Sequence, residues 1–130
     1  MNTERAGKFA RDSGFEVVGS LDVSGLFFRQ DVRDMCTPEL CPQGYGHSWS
    51  CPPAAPALEE LRAEASRYEQ GILVQTIGEL EDSFDFETVV ETSALHAEHF
   101  KELADRLAVE ADGQLLCLGA GACKRCASCT

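Results

Sequence analysis

The organisation of this chain is decided by residues 36–56, CTPELCPQGYGHSWSCPPAAP. All five prolines of the sequence lie in this stretch, together with Cys36, Cys41 and Cys51. Proline and glycine interrupt regular secondary structure, so the stretch predicts a loop. A loop of about 20 residues is long for a compact domain, and a bound metal is one way to organise it.

On both sides of this loop, the hydrophobic pattern and the turn residues predict helices that alternate with strands. Before the loop we expect a helix from Thr3, its capping residue, to about Arg11, and then a strand at residues 15–21 (FEVVGSL). The elements expected after the loop are a helix from Pro56 that ends at Gly71, a strand at residues 72–77 (ILVQTI), a helix at about residues 86–111 and a strand at residues 114–118 (QLLCL).

This alternation favours a parallel sheet with right-handed crossovers. We therefore expect an α/β fold in which residues 1–130 form a single metal-binding domain. Its centre is predicted to be a small three-stranded, parallel sheet with helices packed on it and two cysteine-rich loops. Because the carboxyl ends of parallel strands share one edge, both cysteine groups are expected to meet there.

The second cysteine group is a C-x-x-C-x-x-C run of Cys123, Cys126 and Cys129. This spacing matches the first three ligands of a bacterial-ferredoxin cluster motif, which takes its fourth cysteine from elsewhere. Zinc sites more often use two separated C-x-x-C pairs. The run therefore favours an iron–sulfur cluster of the 4Fe-4S type, and zinc is the alternative.

The fourth ligand of this run is open, because the sequence ends at Thr130. Either a cysteine of the first group completes the site, or the natural chain extends further than this one. Cys117 lies in the third predicted strand, where a buried core thiol is the better interpretation.

The first cysteine group allows two kinds of site. With His47 it gives a Cys3His set suited to zinc, and with a thiolate of the terminal run it suits a cluster. The predicted metal ligands are Cys36, Cys41, Cys51, Cys123, Cys126 and Cys129, with His47 and Cys117 as less favoured candidates. His96 and His99 also have a metal-compatible spacing, but His96 shares the apolar face of its helix and is predicted to be a core residue.

Two short segments carry a family resemblance, residues 41–53 (CPQGYGHSWSCPP) and residues 121–129 (GACKRCASC). They resemble the YGxxWxCPP-like segment and the GxCxxCxxC-like run of a "domain of unknown function" family of predicted metal-binding proteins. The resemblance implies metal binding by an iron–sulfur centre and implies no established reaction. Members of that family generally continue to a further cysteine near a proline, a point that this sequence does not reach.

Charge and hydropathy exclude several classes of function. The net charge of −11 argues against nucleic acid as a partner, since a phosphate backbone needs patches of Lys and Arg. No segment approaches the ~18 apolar residues of a membrane span, and the N-terminus lacks the apolar region of a signal peptide. We therefore expect a cytoplasmic protein, in which structural disulfides are disfavoured. The odd number of cysteines, seven, also rules out full pairing within one chain.

These features predict a small iron–sulfur protein that transfers electrons or supports a redox partner, with its acidity assisting docking to a basic partner protein. The alternative is a zinc-stabilised structural or interaction module without redox chemistry. A thiol-redox enzyme ranks last, because no C-x-x-C follows a thioredoxin-like first strand.

Overall fold

The computed structural model describes residues 2–112 and 114–119. The elements within these residues are α1 (Thr3–Asp12), β1 (Val17–Asp22), a short 3-10 helix (Val23–Gly25), α2 (Gln30–Arg33), α3 (Leu58–Ala65), β2 (Gln70–Gln75) and α4 (Phe86–Glu110). Between α2 and α3 the chain has turns and bends only, which confirms the predicted loop.

The described residues fall into two compact units. The first unit comprises residues 2–21, 70–112 and 114–115, and the second comprises residues 22–69 and 116–119. The second unit therefore contains the cysteine loop, and the first contains the sheet pairing and the long helix α4. A single domain over residues 1–130 stays a prediction.

The sheet differs from the expected one. β1 and β2 pair as a two-stranded antiparallel sheet, so the predicted three-stranded, parallel sheet is wrong. Residues 114–119 form no strand, and Leu115 packs against the core of the first unit instead. The apolar residues at 114–118 therefore do not form a strand, although Leu115 among them packs against the core. Alternation predicts a parallel pair only where a helix makes the crossover, and most of the connection from β1 to β2 is irregular.

A small hydrophobic core holds the first unit together. Its buried apolar residues are Ala6, Ala10, Phe15, Leu103 and Leu107. Spacings of four residues place the two alanines on one face of α1 and the two leucines on one face of α4. Partly buried residues of both strands, among them Val18 and Val74, pack against this cluster. The small side chains on α1 allow that helix to lie close to its neighbours.

The ends of the two longest helices are set by capping groups. Asn2 Oδ1 accepts a hydrogen bond from the Arg5 N–H at 2.8 Å, so Asn2, and not the predicted Thr3, is the N-cap of α1. Asp85 caps α4, because its Oδ1 accepts from the Thr88 N–H at 3.1 Å. The prediction of a long third helix is confirmed by α4.

Among the described residues, no helix combines the length and the apolar character that crossing a bilayer demands.

Candidate metal centre

The three loop cysteines each belong to a hydrogen-bonded turn. The bonds run from the Cys36 N–H to the Arg33 carbonyl at 3.0 Å, from the Cys41 N–H to the Thr37 carbonyl at 2.9 Å and from the Cys51 N–H to the Ser48 carbonyl at 3.2 Å. Local turns thus give the loop a defined backbone without a helix or a strand ladder.

One hydrogen bond joins the middle of the loop to its end. The Gly46 N–H donates to the Pro52 carbonyl at 2.7 Å. Gly46 has a φ of +77°, a left-handed conformation that residues with a side chain rarely adopt. This hydrogen bond joins Pro52, which follows Cys51, to Gly46, which precedes His47.

Two arginines tie the flanks of the loop together. Arg33, the last residue of α2, donates from Nη2 to the Pro56 carbonyl at 2.8 Å. Arg62 on α3 donates from Nη2 to the Phe28 carbonyl at 2.7 Å. Neither arginine was predicted from the sequence to be part of the site. The only feature of the sequence that points to them is that a basic residue lies on each side of the cysteine loop. Because each bond spans all three loop cysteines, the two arginines restrain the segment that carries the thiols.

The loop thiols differ in exposure. Cys36 is exposed, whereas Cys41 and Cys51 are half-buried, and none of the three is in a disulfide. His47 is exposed, and its backbone N–H donates to the Gly44 carbonyl at 3.1 Å. The three cysteines therefore present soft sulfur donors within one loop, and His47 offers an imidazole nitrogen in the same loop.

The described residues do not contain a closed metal site. No group of three or more His, Cys, Asp or Glu side chains in residues 2–112 and 114–119 is arranged to hold a metal ion. The structure thus does not bring Cys36, Cys41, Cys51 and His47 together as a ligand set. Cys123, Cys126 and Cys129 lie outside the described residues. All of these ligand assignments stay predictions.

Cys117 has a different environment from the one predicted. It is exposed, so the interpretation as a buried core thiol is wrong. Residues 114–119 form no strand, and the half-buried side chains of this segment are those of Leu115 and Leu116. Without the strand there is no alternation that turns Cys117 inward.

The histidines of α4 have a structural role, as predicted for His96. The half-buried His96 ring lies 2.8 Å from the Thr76 hydroxyl through Nδ1, and it contacts Phe15 edge to face with ring centroids 5.3 Å apart. His99 contacts the same phenylalanine at 5.7 Å. The satisfied ring nitrogen and the aromatic neighbours confirm the predicted structural role of His96, which is half-buried and contacts the core residue Phe15.

The donor chemistry of the loop fits a thiophilic metal. Thiolate sulfur binds zinc and iron–sulfur clusters in preference to hard cations such as Mg²⁺. The loop supplies three cysteines, and a closed site of either kind takes four ligands, so the fourth donor is either His47 of the same loop, for zinc, or a thiolate from another part of the chain, for a cluster. The predicted ligands outside the described residues are of the same soft type.

Comparison with known proteins gives one match. No curated protein and no solved structure matches the chain. A family model, described as "Predicted metal-binding protein (DUF2284)", matches residues 19–130, which includes both cysteine groups. The match begins within β1, at Gly19, and covers the cysteine loop and the rest of the sequence. The chain therefore belongs to the DUF2284 family of predicted metal-binding proteins.

Proposed function

We propose that this protein binds an iron–sulfur cluster, of the 4Fe-4S type, through its cysteines and serves in electron transfer or in support of a redox partner protein. Membership of a predicted metal-binding family supports the metal, which the family leaves unspecified. The C-x-x-C-x-x-C spacing supports iron–sulfur over zinc. When bound, such a cluster supplies a one-electron carrier. Cysteines stay reduced in the cytoplasm, where we place the protein, and are available there as metal ligands.

The observation that supports the proposal most is the organisation of the cysteine loop. Cys36, Cys41 and Cys51 are not in a disulfide and lie on a backbone that turns hold in place. Arg33 adds a tie between the two ends of the loop. A segment with this much proline and so little apolar burial has few other reasons to carry three thiols.

The test is anaerobic purification followed by determination of iron, acid-labile sulfide and zinc. The proposal expects a brown protein with about four iron and four sulfide per chain. Reduction with dithionite should bleach the visible absorption and give an electron paramagnetic resonance signal. A colourless protein with stoichiometric zinc, and no iron after anaerobic reconstitution, contradicts the cluster and supports the zinc-stabilised module.

Single substitutions assign the ligands. Cys41→Ser in the loop and Cys126→Ser in the terminal run should each lower the iron content. Ser48→Ala, which changes the same loop without removing a thiol, is the control and should retain the iron. Cys117→Ser should also retain it, and a loss there would make Cys117 a ligand. Far-UV circular dichroism of each variant shows whether the helices are intact.

A further inference from the structure

The segment that leads into α4, residues 77–91, exposes several large apolar side chains. Phe84 is 79% exposed and Phe86 is 68% exposed. The other exposed apolar residues of the segment are Ile77, Leu80, Val89 and Val90. Exposed apolar side chains in such numbers within one segment are typical of interaction sites.

The backbone around the two phenylalanines is fixed by hydrogen bonds. Asp82 Oδ1 accepts from the Phe84 N–H at 2.8 Å, and the Phe86 N–H donates to the Phe84 carbonyl at 2.8 Å. Asp85 Oδ2 accepts from the Glu81 N–H at 3.2 Å. A partner that buries these rings therefore meets a preformed backbone, which lowers the entropy cost of binding.

The same part of the sequence is acidic and lacks basic residues. Residues 68–100 contain no Lys or Arg, although the chain has 11 of them. The acidic residues of this stretch are Glu69, Glu79, Glu81, Asp82, Asp85, Glu87, Glu91 and Glu98. Glu79, Glu81, Asp82 and Glu87 are exposed and lie within five residues of an exposed phenylalanine in the sequence. The apolar side chains are thus flanked in the sequence by carboxylates, and residues 68–100 hold no Lys or Arg to compensate them.

The charge selects one class of occupant. A second copy of this chain would bring carboxylates against carboxylates, and anionic lipids or nucleic acids would be repelled for the same reason. We propose that residues 77–91 form a docking surface for a partner protein that offers an apolar pocket to Phe84 and Phe86 and a rim of Lys and Arg to the carboxylates. The apolar contacts supply affinity, and the charges supply orientation and a faster association. This surface does not depend on a bound metal.

The chemistry of the surface is tested with a peptide probe. The probe is a short fluorescein-labelled helical peptide with leucine on one face and lysine on the other, and its binding to the full chain is followed by anisotropy. Peptides with glutamate in place of lysine, and with serine in place of leucine, are the probe controls. Binding should saturate, weaken between about 50 and 300 mM salt, and be at least about tenfold tighter than for either control peptide.

Matched variants locate the binding. Phe84→Ser with Phe86→Ser should weaken the peptide about tenfold or more, whereas Phe27→Ser, at a residue 90% exposed in the other unit, should not. Glu79→Gln with Glu81→Gln and Glu87→Gln should reduce both affinity and salt dependence. The charge control is Glu39→Gln with Glu60→Gln and Glu64→Gln, which should have a smaller effect. Amide chemical shift changes should concentrate in residues 77–91.

Three results overturn the proposal. The first is wild-type affinity in the Phe84→Ser, Phe86→Ser variant with its circular dichroism unchanged. The second is equal binding of the leucine–glutamate peptide, which shows an apolar contact without charge selection. The third is a concentration-dependent dimer that the same double substitution abolishes, because it assigns the surface to a second copy of the chain.

Discussion

Gly14 lies in the turn between α1 and β1, with a φ of +113°. An added Cβ at this position would stand 2.6 Å from Cε1 and Nε2 of His99, well inside van der Waals contact. The backbone conformation and the neighbouring ring therefore both select glycine. The sequence predicts a helix stop at this residue, whereas the contact with His99 depends on the packing of α4 and has no local signal.

Gly14→Ala should lower the free energy of unfolding by about 2 kcal/mol, through backbone strain and displacement of the His99 ring. The control is Gly19→Ala in β1, where an added Cβ meets nothing within 4 Å, and its effect should stay within about 0.5 kcal/mol. Urea denaturation of the three proteins gives the comparison. Equal stability of the Gly14 and Gly19 variants would show that His99 moves aside at no cost.

Asp85 couples the start of α4 to pH. The Thr88 hydroxyl, which donates to Asp85 Oδ2 at 2.6 Å, is the main cause that holds the pKa of Asp85 below 3.8, and the N–H groups of Glu81 and Thr88 add to it. Because the pKa is lowered by folding, its contribution to stability is complete above 3.8 and is lost as the pH falls through the lower value of the folded state.

Thr88→Val should therefore make the fall of the melting temperature between about pH 5 and pH 2 shallower, since it removes the main donor. Asp85→Asn should act in the same direction, because the amide does not titrate. Part of the slope should remain, since the Ser24 hydroxyl lowers the pKa of Asp22 as well. If the melting temperature of both variants fell with pH as steeply as that of the wild type, Asp85 would not be a source of the pH dependence.

At the scale of the elements, the two paired strands and the long helix were predictable, since β1 (Val17–Asp22) and β2 (Gln70–Gln75) overlap the strands predicted at residues 15–21 and 72–77. The apolar face of α4 repeats over many turns, so its position follows from the sequence alone, and its observed bounds are Phe86–Glu110. α3 is shorter than predicted, at Leu58–Ala65, and it lacks a side-chain cap at its start. The short apolar run at residues 114–118 has the composition of a strand. A strand also needs a hydrogen-bonded neighbour, and that depends on the tertiary fold.

The candidate site was also predictable only in part. The prolines indicate an irregular loop around Cys36, Cys41 and Cys51, and the structure has that loop. The expectation that both cysteine groups meet at one sheet edge loses its basis in an antiparallel pair, because the carboxyl ends of antiparallel strands point in opposite directions. The arginine contacts that hold the loop were not predictable, since they join side chains to backbone carbonyls far away in sequence.

Arg33→Met should loosen the cysteine loop. Its Nη2 hydrogen bond to the Pro56 carbonyl contributes about 1 kcal/mol, so local opening should increase about fivefold. Chymotrypsin cleavage at Tyr45 or Trp49, located by mass spectrometry, should accelerate by a similar factor. Arg67→Met, which removes a cation just beyond α3, is the control. Cleavage at the wild-type rate in the Arg33 variant would show that the Arg33 hydrogen bond does not hold the loop.

At the scale of the whole molecule, the predicted ligands and the hydrophobic core belong to different parts of the sequence. The core cluster of the first unit contains no cysteine, and its buried residues lie on α1, on α4 and at Phe15. The loop around Cys36, Cys41 and Cys51 belongs to the second unit, whose only buried apolar residue among those described is Ala65. Metal is therefore expected to stabilise the loop far more than the core.

Removal of the metal from the loaded protein by a chelator should raise amide hydrogen exchange in residues 36–56 about tenfold or more, which corresponds to at least ~1.4 kcal/mol of lost local stability. Amides of β2 and α4 should keep their protection, because apolar packing holds them without any predicted ligand. A variant with Cys36, Cys41 and Cys51 all replaced by Ser is the control, and its loop should exchange at one rate with or without chelator. Equal loss of protection in α4 and in the loop would contradict the expectation that the metal stabilises the loop and not the core, since it would make the core dependent on the metal.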